Sequence, residues 1–228
     1  MVCGKPLIYF QKRRSIKCYY CGIDEETLAC CSAGHFVCDK CHSIEAIDLI
    51  TEVCTKTKST SPLDIAEGIM THPSIPLNGP EHHVLVPAVL LAASRNAKPE
   101  LNLKFDAIQE AIERGKKVPG GWCGFYGCCG AAVGLGIAVS ILSSATPLKG
   151  RERALANLAV SKGLKDAADG GPVCCKRMVR RILKIAIPFL KRYFNIKLNP
   201  FSSVQICQYT RRNNKCIKLE CPYFHNVN

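Results

Sequence analysis

The sequence lacks an apolar segment at its start and has little strand-like patterning. It begins Met-Val-Cys-Gly-Lys-Pro and then becomes basic, without the apolar stretch of a secretory signal peptide. Beyond about the first forty residues, almost no run alternates between polar and apolar side chains as a half-buried strand does. These absences argue against a secreted disulfide scaffold and against an all-β protein, and we expect a cytoplasmic protein.

The sequence also lacks charge over one long stretch, from Pro119 to Leu148. A transmembrane helix needs about 20 apolar residues, but this stretch contains seven glycines and three cysteines, and its first half is typical of a turn. Only its second half is convincingly apolar. We therefore expect a buried helix there and no membrane span.

The composition is that of a globular chain of 228 residues with an excess of cysteine. Hydrophobic residues make up 47% and charged residues 21%, which excludes intrinsic disorder. The 16 cysteines include two CxxC pairs and three adjacent pairs. Because CxxC pairs in cytosolic proteins indicate metal or redox sites, we expect free or metal-bound thiols in a reducing compartment.

Basic residues outnumber acidic residues by 31 to 18, which gives a net charge of +13. Such an excess permits an anionic partner such as a nucleic acid, a nucleotide or a membrane surface. It does not require one, because most basic residues of a globular protein simply face solvent.

Apolar residues recur at helical spacing along most of the chain. The predicted helices cover residues 43–58, 63–70, 84–96, 105–114, 131–142, 151–164 and 173–194. We therefore predict a mainly α fold. In it, a small Cys-rich β module of the zinc-ribbon or treble-clef type, residues 1–45, precedes an all-helical domain, residues 46–228.

Three positions are expected to shape these helices. Pro87 falls in the first turn of the third predicted helix, where proline is tolerated, and Gly115 follows the fourth as a C-cap. Pro188 should kink or divide the last helix. That helix is amphipathic, and we expect its basic face, from Lys176 to Lys184, to point to solvent.

The first 45 residues contain a pattern typical of a structural zinc site. Each of two CxxC pairs turns both of its sulfurs toward one ion, and four sulfurs complete a closed tetrahedral shell. We therefore predict zinc ligands at Cys18, Cys21, Cys38 and Cys41. A candidate second metal site consists of Cys3, Cys31 and His35. The order of ligand types resembles the first six ligands of a RING finger, but the last CxxC pair of that family is absent.

Residues 78–83, Asn-Gly-Pro-Glu-His-His, precede a predicted buried helix. A helix N-terminus favours an anion, and a histidine beside a carboxylate can act as a general base. We predict a small-molecule site here, with His82 and His83 as candidate bases and Glu81 as their partner. The alternative is that both histidines are ordinary polar groups with satisfied hydrogen bonds.

Cys123, Cys128 and Cys129 lie in a glycine-rich loop. Glycine lets the backbone approach a ligand closely, and soft thiolates bind iron well. With Cys174 and Cys175, which follow a Gly-Gly-Pro turn, the loop offers enough ligands for an iron–sulfur cluster of the 4Fe-4S type. The alternative is that these small residues pack the tight start of a helix.

The C-terminal tail contains a third cysteine pattern, Cys207-x8-Cys216-x4-Cys221-x3-His225. Its spacing resembles a CCCH zinc finger, and that resemblance implies RNA binding through the basic and aromatic residues between the ligands. The alternative is that one or more of these cysteines fold back and complete the cluster predicted above.

Five runs of the sequence resemble runs of one known family. They are Cys3–Leu7, Gly34–His42, Gly79–His83, Cys123–Ala132 and Gly170–Arg177. The chain resembles an uncharacterised Cys-rich family of methanogens and anaerobic bacteria over nearly its whole length. The resemblance implies an anaerobic habitat and the boundaries of the domain, but no particular chemistry.

A second, looser resemblance is to the α domain of iron–sulfur L-serine dehydratases and the related cysteine desulfidases. Leu85–Leu90 is similar to an apolar run that opens a buried helix there, and Gly127–Gly134 is similar to a loop that binds a 4Fe-4S cluster. The resemblance implies a cluster-dependent lyase. The Gly-Ala-Ala-Gly of that family is replaced here by residues 81–84, so the substrate does not carry over.

Three functions are consistent with these patterns. The first is an iron–sulfur-dependent lyase or sulfur-handling enzyme, in which an open iron acts as a Lewis acid on a small molecule and a histidine takes the proton. The second is a non-catalytic zinc-binding adaptor for RNA or protein, which would explain the N-terminal module, the tail and the charge. The third is a metal or cluster assembly factor that uses the same cysteines transiently.

Overall fold

The computed structural model of the protein describes residues 2–3, 5–38, 41, 45–101, 103–104, 106–168, 171–202 and 206–224. Over these residues the protein is mainly α-helical, with a short antiparallel hairpin near its N-terminus and a Cys-rich group next to the hairpin. The predicted fold class is confirmed, because a Cys-rich module with β-structure comes first and helices follow.

The N-terminal hairpin consists of β1, Leu7–Lys17, and β2, Asp24–Cys31. The strands pair in antiparallel register with an irregularity between Tyr9 and Arg14, and most of their side chains are exposed. The turn that joins them contains the first CxxC pair. Because an isolated two-stranded hairpin is marginal in water, we expect the stability of this one to depend on the cysteine groups at its two ends.

Eight helices follow within the described residues. In chain order they are α1 Ala46–Lys56, α2 Pro62–Met70, α3 Glu81–Ala97, α4 Ala107–Lys116, α5 Trp122–Phe125, α6 Gly130–Leu142, α7 Gly150–Ala167 and α8 Cys175–Phe194. Two single 3-10 turns cover Pro99–Leu101 and Lys218–Glu220. The short α5 lies where the sequence predicts only a loop, because glycine-rich segments show no helical period. None of the described helices is long and apolar enough to cross a membrane.

Local sequence sets the start of α2. The hydroxyl of its N-cap residue Ser61 accepts a hydrogen bond from the N–H of Asp64 (3.2 Å), which satisfies one of the donors that a helix start leaves unpaired. Pro62 occupies the first turn, where its missing N–H costs nothing. The Asp64 carboxylate also sits where a negative charge stabilises the helix dipole.

α3 is the central helix of the domain, and α1, α2, α4, α6 and α8 all contact it. Glycines let α4 and α6 come especially close. A Cβ at Gly115 would lie 2.8 Å from Val84 Cα, and one at Gly134 would lie 2.9 Å from Pro87 Cδ. Gly115 is therefore a packing position inside α4 and not the predicted C-cap, since the helix continues to Lys116.

Two prolines lie inside helices. α3 begins at Glu81, three residues before its apolar pattern starts, so Pro87 is in the interior and not in the first turn. It has no N–H to donate to the carbonyl of His83, four residues back. Pro188 lies inside α8, which is one continuous helix, so the predicted division there is wrong.

Part of the basic face of α8 is buried, contrary to the expectation from its periodicity. Lys176, Arg177 and Arg180 are buried, whereas Arg181 is half-buried and Lys184 is exposed as expected. The C-terminal tail covers this face, so that the Tyr209 ring lies over Lys176 Nζ and the Tyr223 ring over the Arg180 guanidinium. The tail has no period of its own from which this cover could be predicted.

Candidate functional site

Four cysteines at the tip of the hairpin and beyond it form a compact group. The sulfurs of Cys18, Cys21, Cys38 and Cys41 all lie within 4.8 Å of one another, and all four residues are buried. The Sγ atoms of Cys21 and Cys38 are 3.8 Å apart. That is close to the spacing produced by tetrahedral bonds of about 2.3 Å to one ion, so this quartet could hold a metal ion.

Backbone contacts shape the quartet. Gly22 has a φ of +71°, which glycine adopts without strain, and its N–H donates to the Cys18 carbonyl (2.9 Å). The segment after β2 comes alongside through a bridge between Cys18 and Phe36. The Cys38 N–H then donates to Cys18 Sγ (3.4 Å), so the two CxxC pairs meet at one point.

The thiols of the quartet are crowded and shielded from water. Burial raises the pKa of Cys38 to about 11 and also raises that of Cys41. Burial acts in the same sense on Cys18, but the backbone N–H groups of Cys21, Cys38 and Tyr20 outweigh it and lower the Cys18 pKa. Four thiolates packed this closely need a bound cation, because burial and mutual repulsion both favour the protonated form.

A second group lies at the open end of the hairpin. Cys3 Sγ is 3.5 Å from Cys31 Sγ, and His35 Nδ1 is 3.4 Å from the first sulfur and 3.3 Å from the second. The trio supplies three ligands, one fewer than a closed zinc site uses, and the described residues add no fourth at this spacing. In the sequence, Cys3 precedes the first CxxC pair of the quartet, and Cys31 and His35 lie between the first pair and the second.

His72 connects the quartet to the helical domain. Its Nε2–H donates to the Cys41 carbonyl (2.6 Å), and its Nδ1 lies 2.7 Å from the Ser74 hydroxyl. Its ring also packs edge-on against Tyr20, with 4.6 Å between centroids. His72 therefore supports the second CxxC pair from behind.

A separate cavity of about 430 Å³ lies in the helical domain. Segments that are distant in the sequence meet around it: the start of α3, the glycine-rich loop around α5, the end of α7 and the segment that leads into α8. Its histidine, cysteine and arginine lining residues are His82, His83, Cys123, Cys129, Cys174, Cys175 and Arg177. The histidine, Gly-Cys and Cys-Cys patterns of the sequence therefore contribute to one cavity.

Backbone carbonyls orient both histidines. The Nδ1–H of His82 donates to the Gly79 carbonyl (3.1 Å), and that of His83 donates to the Val118 carbonyl (2.9 Å). Each ring then keeps its lone pair on Nε2. His82 Nε2 is buried and has no hydrogen-bond partner among the described residues. Burial, with a smaller contribution from Lys176, lowers the His82 pKa to about 3, so this ring stays neutral.

A glycine and a carboxylate complete this end of α3. A Cβ at Gly130 would lie less than 3.0 Å from the His83 ring, so only glycine lets α6 start against that histidine. Glu81 folds its carboxylate over Gly79, and within the described part of the chain its Oε2 is buried without a hydrogen-bond partner. Glu81 is not among the cavity-lining residues. The orienting role predicted for it falls to the backbone carbonyls.

Four cysteines from two segments line the cavity, namely Cys123, Cys129, Cys174 and Cys175. Cys174 also lines a second void against the C-terminal tail. The Cys175 N–H donates to the Asn78 side-chain oxygen (2.9 Å), which ties the histidine loop to the start of α8. Burial raises the Cys175 pKa to about 11, opposed by a hydrogen bond from the Gly79 backbone, while neighbouring Cys129 and Cys123 raise it further. Cys128 is not among the lining residues.

Two contributors to the cavity were not predicted from the sequence as site residues. Arg177 is buried, lines the cavity, and donates to the Pro172 carbonyl (2.9 Å). Asn78 positions Cys175 from a loop that lies 97 residues earlier in the chain. Two features of the sequence could have indicated them. Arg177 ends the run Gly-Gly-Pro-x-Cys-Cys-Lys-Arg, and Asn78 opens the loop that contains the histidines.

The tail cysteines do not face this cavity. Cys207, Cys216 and Cys221 surround a smaller void against α8, together with Cys174. His225, the fourth member of the predicted CCCH pattern, lies outside the described residues.

The chain belongs to the family of unknown function DUF5714, whose model matches residues 50–224. No curated protein and no solved structure matches the chain. The matched residues include the cavity and the tail cysteines, whereas the N-terminal quartet lies before them.

Proposed function

We propose that the protein is an iron–sulfur-dependent lyase that acts on a small molecule in the cavity of the helical domain. The observation that carries this proposal is the meeting of Cys123, Cys129 and Cys175 with two oriented histidines around one space of about 430 Å³. A volume of this order suits a small ligand. The similarity of Leu85–Leu90 and Gly127–Gly134 to cluster-dependent dehydratases also supports it.

The three proposed ligands Cys123, Cys129 and Cys175 suit a cluster better than a single ion. Among the described residues, only the N-terminal cysteine groups are gathered within 4.8 Å, and a four-iron cluster needs more widely spaced thiolates than one ion does. Ligation by three cysteines leaves one iron open. Such an iron supplies Lewis-acid chemistry to a substrate hydroxyl or thiol.

The remaining lining residues have roles that follow from their geometry. The buried guanidinium of Arg177 attracts a carboxylate or another anionic group of the substrate. His83, whose ring is fixed by the Val118 carbonyl, receives the proton from the substrate carbon at Nε2. His82 remains neutral and offers a hydrogen-bond acceptor. The balanced reaction is an elimination in which a proton and hydroxide or hydrosulfide leave neighbouring carbons.

Anaerobic purification followed by iron and acid-labile sulfide analysis tests the cluster. We expect about four irons and four sulfides per chain at this site in the wild type, loss of both in Cys175→Ser, and retention in Cys128→Ser. The second variant is a matched control, since Cys128 belongs to the same pattern but does not line the cavity. A colourless protein that contains only zinc would refute the proposal.

The catalytic step is tested on the anaerobic holoprotein with a panel of small hydroxy and thiol acids. Product is expected as a new double bond or its keto tautomer, or as released sulfide. His83→Asn should keep the iron content and lose turnover. Unchanged turnover in that variant would remove His83 from the proton transfer.

For the quartet Cys18, Cys21, Cys38 and Cys41 we propose zinc, because four buried cysteines form the closed tetrahedral shell of a structural zinc site. Residues 1–45 would then be a zinc-stabilised module in front of the helical domain. All 16 cysteines are free thiols in the structure, which suits the reducing cytoplasm that this proposal requires.

A second candidate function, an RNA-binding adaptor, rests on the exposed face of the hairpin. Tyr9 is 77% exposed, and the Arg14 guanidinium lies 4.2 Å from the centroid of the Phe10 ring. Exposed aromatic and basic side chains together suit single-stranded RNA. Salt-dependent binding of an RNA oligonucleotide that is lost in Tyr9→Ala would support this function, and no binding at low salt would exclude it.

A further inference from the structure

The tail folds back on α8 and brings together four cysteines that are far apart in the chain. Cys174 immediately precedes α8, whereas Cys207, Cys216 and Cys221 come from the tail. All four line one void between the tail and the start of α8. Their sulfurs are not gathered within 4.8 Å of one another as those of the quartet are, so they are spaced more widely than the ligands of a single ion.

Hydrogen bonds to sulfur and to the backbone fix the tail around this void. The Lys218 N–H donates to Cys216 Sγ (3.4 Å), and the Cys207 N–H donates to the Tyr223 carbonyl (2.8 Å). Arg180 also donates a side-chain hydrogen bond to Cys207. Hydrogen bonds donated to sulfur stabilise the thiolate relative to the thiol, and the thiolate is the form that binds metal.

The void is surrounded by buried positive charge. Lys176 is 1% and Arg180 2% exposed. Arg180 pairs with Glu67 through two contacts of 2.5 and 2.8 Å. Lys176 donates hydrogen bonds to two neutral carbonyls, those of Met70 (3.0 Å) and Ile75 (3.5 Å). Two buried cations therefore share one carboxylate, an arrangement that is costly unless another anionic group lies nearby.

Four thiolates around a metal provide that anionic group. A 4Fe-4S cluster in its usual oxidised state with four cysteine thiolates carries a charge of about −2. In support, burial raises the pKa of Cys174, Arg177 opposes this shift, and the nearby Cys207 and Cys221 add to it. The three thiols are thus close enough to influence one another.

We infer that Cys174, Cys207, Cys216 and Cys221 together bind one iron–sulfur cluster. The cluster fastens the tail to the start of α8 and offsets the buried charge of Lys176 and Arg180. Cys174 lines both the void and the larger cavity, so the adjacent residues Cys174 and Cys175 then serve two different sites, Cys174 the tail cluster and Cys175 the larger cavity. This ligand set replaces the histidine of the CCCH pattern with Cys174.

Alkylation of the wild-type chain tests the ligand set without any variant. The anaerobically purified protein is treated with N-ethylmaleimide before and after removal of metal by a chelator, and each cysteine is followed by mass spectrometry. We expect the four cysteines to be protected together and to become reactive together. Cys54, which is fully buried in α1, is the internal control that should stay unreactive. Reaction of Cys174 in the metal-loaded protein, with the tail cysteines protected, would overturn the inference.

Single variants of the full chain then assign the fourth ligand. Cys174→Ser and Cys207→Ser should each abolish the metal content of this centre. Metal and acid-labile sulfide are measured together, because sulfide distinguishes a cluster from zinc. Cys175→Ser and His225→Gln are the matched controls and should retain it. Full metal content in Cys174→Ser with loss in His225→Gln would establish the CCCH finger instead. Since Cys175→Ser reports on the larger cavity, failure of the lyase proposal remains separate from failure of this one.

Discussion

The N-terminal quartet and the cavity of the helical domain both collect cysteines, but they do so in different ways. The quartet draws its four sulfurs from residues 18–41 and gathers them within 4.8 Å. The cavity draws on segments that span residues 82–178 and leaves its sulfurs further apart around a space of about 430 Å³. The first arrangement suits a single closed ion, and the second leaves room for a substrate.

The difference also concerns what holds each region together. The hairpin has few buried side chains of its own, so metal binding and folding of the module are expected to be one event. The helices share a continuous apolar core centred on α3, which the four quartet cysteines and Tyr20 also join. The cavity of the helical domain is a consequence of that packing. Metal removal should therefore affect the N-terminal hairpin more than the helical domain. A variant in one region is expected to leave the other region unchanged.

The largest effect is expected from Cys38→Ser. A structural zinc site contributes on the order of 10–16 kcal/mol of apparent binding free energy to folding, and an incomplete thiolate shell loses most of it. The variant should lose the quartet's metal, and limited proteolysis should cleave residues 1–45 while the helical domain persists. Cys30→Ser is the control, because Cys30 is buried in β2 but is not part of either metal group. Equal metal content in the two variants would contradict the assignment.

A smaller effect, confined to the helical domain, is expected from Arg180→Met. This change leaves the Glu67 carboxylate without its buried partner, and breaking a buried pair in this way costs about 3–5 kcal/mol. Urea denaturation should show the loss in the free energy of unfolding. The double variant Arg180→Met with Glu67→Met should recover part of it, because neither charge then remains. A double variant less stable than the single one would show that the broken ion pair does not cause the loss of stability.

Gly130→Ala should disturb the cavity by about 1–3 kcal/mol, the usual cost of overpacking. Its new Cβ would meet the His83 ring, which must move. Gly124→Ala is the matched control in the same loop, since a Cβ there meets nothing within 4 Å. The metal content of the quartet should not change in either variant. Identical unfolding free energies for the two alanine variants would show that the contact between α6 and His83 is not close.

At neutral pH the smallest effect belongs to His82, whose contribution to stability changes only as the pH falls. Its pKa is about 3 in the folded protein and about 6.5 when unfolded, so below pH 6.5 the unfolded state binds a proton that the folded state does not. Stability is therefore lost as the pH falls from 6.5 towards 3, by about 1.4 kcal/mol per pH unit at most. Lys176 and His83 are the neighbouring titratable groups that add to the shift.

His82→Asn keeps a donor for the Gly79 carbonyl and removes this titration. The difference in unfolding free energy between wild type and variant should therefore shrink between pH 7 and pH 5, because the carboxylates contribute equally to both proteins. Parallel curves for the two proteins would show that His82 is not held neutral by burial.

Much of the fold could be predicted from the sequence, since helical periodicity is a local property. Each of the seven predicted helices has a counterpart in the structure. The errors have specific causes. Gly115 lies within α4, where the close contact with Val84 requires glycine, and does not act as a C-cap. The pattern predicts a start of α3 at residue 84, whereas the helix starts at Glu81, because its polar first turn lies outside the apolar period. Of the two outcomes expected at Pro188, a kink or a division, the division does not occur, because a proline in a packed helix does not have to divide it.

The sequence by itself determined the helices and the compact N-terminal cysteine group. Both depend on spacing within a few turns of chain, where covalent geometry limits which side chains can meet. Only the tertiary structure decided that Cys175 and His83 share a cavity, that Cys174 lies between this cavity and the tail, and that Lys176, Arg177 and Arg180 of α8 are buried. Those outcomes depend on contacts between segments up to about one hundred residues apart, and the packing of the whole chain selects which of these contacts form.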